Sequence, residues 1–105
     1  GTTIYLAGYG AFQDEAGKSY AGDFDAQVRL SFERIRRTLE KAGGKLDDIV
    51  TMTVFITDMA NGTRFTQLRK EFFKEDRYPA SALIGIKALA RPEMMVEIQA
   101  IAVID

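Results

Sequence analysis

Glu97 is the residue of this chain most in need of a chemical explanation. It interrupts an otherwise apolar run, Met94-Met95-Val96-Glu97-Ile98-Gln99-Ala100-Ile101, and a carboxylate in such a run requires water or a polar partner. Few other reactive groups stand beside it. The chain has no Cys and no His, so thiolate chemistry, disulfides and the commonest acid–base and metal-ligating side chain are all excluded. Most hydrolase triads and zinc sites go with them, and no metal is expected. Any catalysis must rest on carboxylates, hydroxyls, Lys or Arg, backbone groups and water.

The elements that position Glu97 follow from hydrophobic spacing. Thr2 to Gly8 reads as a strand, with Ile4, Leu6 and Gly8 on one face and Thr3, Tyr5 and Ala7 on the other. Asp14-Glu15-Ala16-Gly17 is a turn that lets Lys18-Ser19-Tyr20 pair back as a short second strand. Asp23 is placed to cap a helix. Phe24, Val28, Phe32, Ile35 and Leu39 then fall at helical spacing, and Gly43-Gly44 stops it. Ile49 to Thr57 alternates as a strand, and Asn61-Gly62 precedes a helix built on Phe65, Leu68 and Phe72. Two strands follow Pro79, separated by the Ala90-Arg91-Pro92-Glu93 turn. The order β-β-α-β-α-β-β predicts an α+β fold, a mixed sheet with two helices on one face.

Two helices cover one side of a sheet, yet these strands are apolar on both. Ala82, Ile84, Ile86 and Ala88 oppose Leu83 and Leu89, and Val96, Ile98, Ala100 and Ala102 oppose Met95, Ile101 and Val103. Monomers seldom leave such a face in water, so self-association is expected.

Composition bounds the partners. Hydrophobic residues are 47% of 105, which suits a single domain, 1–105, with a modest core. A net charge of −1 gives no basis for binding nucleic acid or an anionic membrane. No apolar run approaches the roughly 20 residues of a membrane span, and Gly1 leads almost directly into a strand with no cleavable signal in view. Arg29, Arg34, Arg36, Arg37 and Lys41 lie among Asp25, Glu33 and Glu40, and Asp25–Arg29 and Glu33–Arg37 have the i,i+4 spacing of a solvated helical face.

An ordered set of segments carries a resemblance. It comprises Gly1 to Gly8, Asp23 to Gly43, Leu46-Asp47-Asp48-Ile49-Val50, Val54-Phe55-Ile56-Thr57-Asp58-Met59, Phe72-Phe73, Tyr78-Pro79-Ala80 and Val96 to Val103. Together these resemble the RidA (YjgF) family over nearly the whole chain. The resemblance implies a chorismate-mutase-like fold, a homotrimer with three ligand clefts between subunits, and a cytoplasmic setting. It also implies hydrolysis of a reactive enamine or imine to a carbonyl compound and ammonia, without a cofactor. A non-catalytic trimer binding small molecules in the same cleft is the alternative.

The family's residues map unevenly. Its water-holding Glu matches Glu97, while the Arg that grips the substrate carboxylate is replaced by Ser81. Thr66 stands where Asn is common, and Tyr9 where Gln commonly follows the first-strand Gly. Gly8 and Leu83 keep the cleft recognisable. Losing a guanidinium at Ser81 removes both charge and fork geometry, which predicts an altered substrate preference. Arg77 and Arg91, in flanking turns, are the candidate replacements. Tyr9 is expected either to close the cleft with its ring or to pack between subunits. Thr66, read as lying near the start of the second helix, is expected chiefly to cap it. Glu97 otherwise reads as an interface carboxylate paired with Lys87 or with an Arg of another subunit.

Overall fold

The computed structural model describes all residues, Gly1 to Asp105. Four strands and two helices form one layer on another: β1 (Thr2–Tyr9), α1 (Phe24–Lys41), β2 (Ile49–Ile56), α2 (Gly62–Leu68), β3 (Ala80–Gly85) and β4 (Val96–Ile104). The strand order is β1-β4-β2-β3. β4 is antiparallel to both β1 and β2, and β2 and β3 run parallel. The sheet is therefore mixed, as expected.

The expected second strand is reduced to one bridge, Gln13 to Ser19. Its turn does form, with Lys18 N–H donating to Asp14 Oδ1. So short an arm has no further strand to pair with and cannot extend the ladder. Strand β3 also ends early. Its last ladder bond runs from Ile86 N–H to the Ile56 carbonyl, after which Thr57 N–H turns to the Met95 carbonyl. Lys87 to Leu89 lie outside any strand. No helix is long and apolar enough to cross a membrane.

Helix α1 follows its sequence closely. Asp23 Oδ1 accepts from Ala26 N–H at the N-terminus, and Gly43, at φ +85°, turns the chain out at the other end. Phe24, Val28, Phe32, Ile35 and Leu39 are all buried against the sheet. They meet Leu6 of β1, Met52, Val54 and Ile56 of β2, and Val96, Ile98, Ala100 and Ala102 of β4. Phe32 forms the centre of an aromatic cluster, its ring 4.7 Å from Phe72, 5.6 Å from Phe73 and 6.1 Å from Phe65. Phe72 reaches this cluster from outside α2, because the chain tightens into a 3-10 turn at Arg69–Glu71.

One buried polar side chain fastens two loops to α1. Gln27 Nε2 donates to the carbonyls of Tyr20 and Glu93, and its Oε1 accepts from Met95 N–H. A fully enclosed amide is tolerated because its bonds are made in place.

Neither i,i+4 pair expected on α1, Asp25–Arg29 or Glu33–Arg37, forms, although Arg36 pairs with Glu40 at that spacing. Asp25 takes Arg64 of α2, Arg29 takes Glu71, Glu33 takes Arg36, and Arg37 takes Glu15. Asp25, Glu33 and Glu71 each receive a planar two-point contact from their arginine, a stronger geometry than a single contact. These bonds from arginine hold the carboxyls of Asp25, Glu33 and Glu71 below their ordinary values. Groups shifted this way stabilise the fold above the ordinary carboxyl range and cease to do so as pH falls through it. The thermal midpoint is thus expected to hold from neutral pH down to about 5 and to decline below the usual values of 4.5 for Glu and 3.8 for Asp. The pairs are half-exposed, so the decline should be modest and should shrink in 1 M salt. Melts recorded across pH at two salt concentrations check this; a midpoint unchanged at pH 3 would remove these pairs from the account.

Candidate functional site

Strand β1 carries the irregularity that builds the site. Its register with β4 shifts between Leu6 and Tyr9, and Gly8 within the shift has φ +62°. This is a bulge that only a residue without a Cβ adopts readily. It reverses the facing of the residue after it. Simple alternation sets Gly8 on the Leu6 side and Tyr9 opposite. In the structure Tyr9 pairs with Ile98 over the helices, and its hydroxyl donates to Thr38 Oγ1 of α1 at 2.9 Å. Tyr9 therefore closes onto the core rather than a cleft.

Gly8 is instead turned toward Glu97. A Cβ on Gly8 would stand 3.6 Å from Glu97 Oε1 and 3.7 Å from its Cδ, so the missing side chain is what opens the approach to this carboxylate. Glu97 pairs with Phe55 across β2, on the face without helices, and is half-buried. It joins none of the ion pairs of the chain, with Lys87 or with any arginine. Farther along the same face lies a groove of about 330 Å³, lined by Tyr5, Thr51, Thr53, Gln99 and Ile101 among others. Tyr5 is 76% exposed there and Ile84 42%. One side of the sheet is thus as apolar and as open as the sequence implies.

The remaining candidates occupy the other side. Ser81 and Leu83 pair with Met52 and Val54, whose side chains are buried under the helices. Because β3 is an edge strand, Ser81 itself is exposed. Leu83 Cδ2 would lie 3.4 Å from a Cβ on Gly62, which seats the start of α2 on this edge. Thr66 is the fifth of seven residues in α2 and bonds its hydroxyl to the Gly62 carbonyl. It is therefore no cap. Asp58 caps the preceding 3-10 turn, Met59–Asn61, and α2 itself starts from Asn61 with no side-chain cap.

The structure hence assembles two half-sites. Gly8 and Glu97 form one on the uncovered face; Ser81, Leu83 and Thr66 form the other on the β3–α2 edge. The sheet separates them within a protomer. Of the candidate replacement arginines, Arg91 lies over the Phe12 ring at 5.0 Å and 3.5 Å from Glu93, while Arg77 is exposed. Sequence pattern alone does not single out Arg69, whose guanidinium the fold stacks on the Tyr78 ring at 4.3 Å. Its i,i+3 spacing from Thr66 is the one available signal.

Comparison with known proteins identifies the family and the fold. The sequence pattern of the Endoribonuclease L-PSP family matches residues 1–104. A RutC family protein of Pyrococcus abyssi is 30% identical over 102 residues, which are 97% of this chain and 79% of that protein. Among solved structures, RidA from an Antarctic Psychrobacter species is 33% identical with a TM-score of 0.88, covering 99% of this chain and 82% of that one. TdcF of Escherichia coli, solved with bound serine, is 32% identical with a TM-score of 0.88, covering 100% and 83%. The α+β layer is the chorismate-mutase-like fold of these relatives.

Proposed function

Because the chain belongs to the Endoribonuclease L-PSP family, which includes the RidA and YjgF proteins, we propose that three copies close over the uncovered sheet face and hydrolyse a reactive imine or enamine in the clefts between them. The observation that carries this reading is Glu97 facing Gly8 without an internal partner. A carboxylate kept free of salt bridges, on a face that assembly would cover, is placed to accept a hydrogen bond from water. The separation of the half-sites supports the same reading, since a cleft needing Glu97 and the β3 edge together requires two chains.

The chemistry needs no cofactor. Glu97 orients a water molecule and takes its proton as the oxygen adds to the imine carbon. That proton passes to the imine nitrogen to complete a neutral carbinolamine. Its hydroxyl proton then moves to nitrogen as the C–N bond breaks, releasing the carbonyl compound and ammonia. An enamine first gains a proton at carbon to become the imine. Ser81 offers one hydroxyl where relatives grip a carboxylate, so substrate choice differs from theirs. A cytoplasmic setting belongs to the same proposal, on the family likeness alone.

Ammonia and carbonyl release from imines generated in solution tests the reaction, with uncatalysed hydrolysis subtracted. Sedimentation tests the assembly in parallel, and a particle of three times the 11.7 kDa protomer mass is expected. A monomer at working concentration would overturn the cleft. The second reading, a trimer that binds small carbonyl compounds without turning them over, draws on Ser81's lack of charge and on Thr66 spending its hydroxyl on Gly62. Binding without product would favour it. Ribonuclease action, which the family's name carries, is disfavoured by a net charge of −1 and the lack of His; RNA cleavage by repurified Glu97→Ala protein would reverse that judgement.

A further inference from the structure

We propose that Gln27 is the positioning residue for Glu97, holding the start of β4 so that the carboxylate stays opposite the Gly8 bulge; the inference rests on the hydrolytic role proposed for Glu97. The ladder alone leaves Glu97 half-held. Its strand pairs with β1 only as far as Ile98, which meets Tyr9. Phe55 of β2 is therefore the one cross-strand neighbour of Glu97. The chain leading into it, from Ile86 to Met95, belongs to no strand. A carboxylate so close to an irregular entry needs a further anchor if it is to hold water at a fixed point.

Gln27 supplies that anchor from the first half of α1, where it is completely enclosed. Its Oε1 accepts from Met95 N–H at 2.8 Å, and its Nε2 donates to the carbonyls of Glu93 at 2.9 Å and Tyr20 at 3.0 Å. Met95 is pinned from its other side as well, because its carbonyl accepts from Thr57 N–H at 3.2 Å. The backbone just before β4 is thus fixed both to α1 and to the end of β2. The Tyr20 bond serves the opposite wall. Tyr20 N–H donates to the Phe12 carbonyl. Nearby, Gly10 leaves no room for a Cβ against Met94 Cε and the Val96 carbonyl. The chain leaving Gly8 therefore lies on the chain entering β4, and both lead to one amide. A buried network with every bond made holds its members to a single arrangement. The other buried polar side chain of α1, Ser31, spends its hydroxyl on the Gln27 carbonyl and bonds to neither loop.

The test is a double-mutant cycle between Gln27 and Glu97, read on kcat for imine hydrolysis and on the thermal midpoint. Gln27→Met keeps the volume of the side chain and deletes its bonds to both loops. It should lower kcat on the order of a hundredfold, the cost of a misplaced catalytic group, with KM unchanged. In Glu97→Gln protein the same change should lower kcat no further, while the midpoint falls as much as it does in the parent. Ser31→Ala, which loosens α1 without touching either loop, should leave kcat intact. Gln27→Asn, an amide on a shorter stem, reads the same cycle where the Met variant does not fold. Equal losses of kcat in both backgrounds would make Gln27 a purely structural residue and overturn the inference. So would a folded Gln27→Met protein with the kcat of the parent. In a parent that turns over no imine, amide hydrogen exchange decides. Thr57 N–H, bonded to the Met95 carbonyl, should then lose more protection in Gln27→Met than Val54 in the middle of the same strand. That loss upholds the hold of Gln27 on the Glu97 strand and retires the catalytic reading; unchanged protection at Thr57 overturns the inference.

Discussion

Glu97→Gln is expected to lower kcat for imine hydrolysis by roughly 10²- to 10⁴-fold, the usual contribution of a positioned general base, while KM changes little. The substitution keeps shape and hydrogen-bonding capacity, so the water can still be held. What it removes is the ability to take a proton as the oxygen attacks. Gln99 already sits in amide form on the same face, so another amide there should neither disturb the strand nor block assembly. Single-turnover ammonia release and sedimentation on the same preparation separate the effects. A Glu97→Gln protein within threefold of the parent would dismiss proton transfer by this residue and leave the binding reading in possession of the cleft.

Phe32→Ala should produce the largest loss of stability from one core change, about 3–5 kcal/mol. The ring is completely enclosed and packs against Phe65, Phe72 and Phe73. These neighbours come from α2 and the loop beyond it, so the cavity would open where α1 meets the support of the β3 edge. They cannot collapse into it without moving that edge. Against a domain stability of about 5–15 kcal/mol, such a loss approaches unfolding. Urea denaturation followed by far-UV circular dichroism measures it. A change below about 1 kcal/mol, far under the range for Phe deletions, would mean that the cluster repacks freely.

The parts of the fold legible in the sequence are those set by local spacing. Asp23, the Phe24–Leu39 stripe and Gly43 specify α1 between them, and the Met52, Val54, Ile56 alternation specifies β2. The uncovered face is legible too, because apolar residues on both sides of β4 exceed what two helices can cover. Tyr9 is not. Its orientation depends on a bulge whose only mark in the chain is Gly8, and alternation through that glycine gives the wrong side. Reading the helix start too late misplaces Thr66, and carrying helical periodicity through a 3-10 turn misplaces Phe72. The pairing of Asp25 and Arg29 with Arg64 and Glu71 depends on how the helices cross, which no spacing along one helix encodes. Glu97 stands out as a polar intruder. Arg69 does not, because an arginine on a helix is ordinary until the fold stacks it on Tyr78.

The sheet is a single layer thick, with Glu97 on one side and Ser81 at an edge facing the other. In a ring of three, a chain damaged at Glu97 still lends its β3 edge to a neighbour. Co-expressed intact and damaged chains would then form mixed rings in which pockets fail one at a time. The phenotype would be graded by gene dose rather than dominant, even though no subunit works alone.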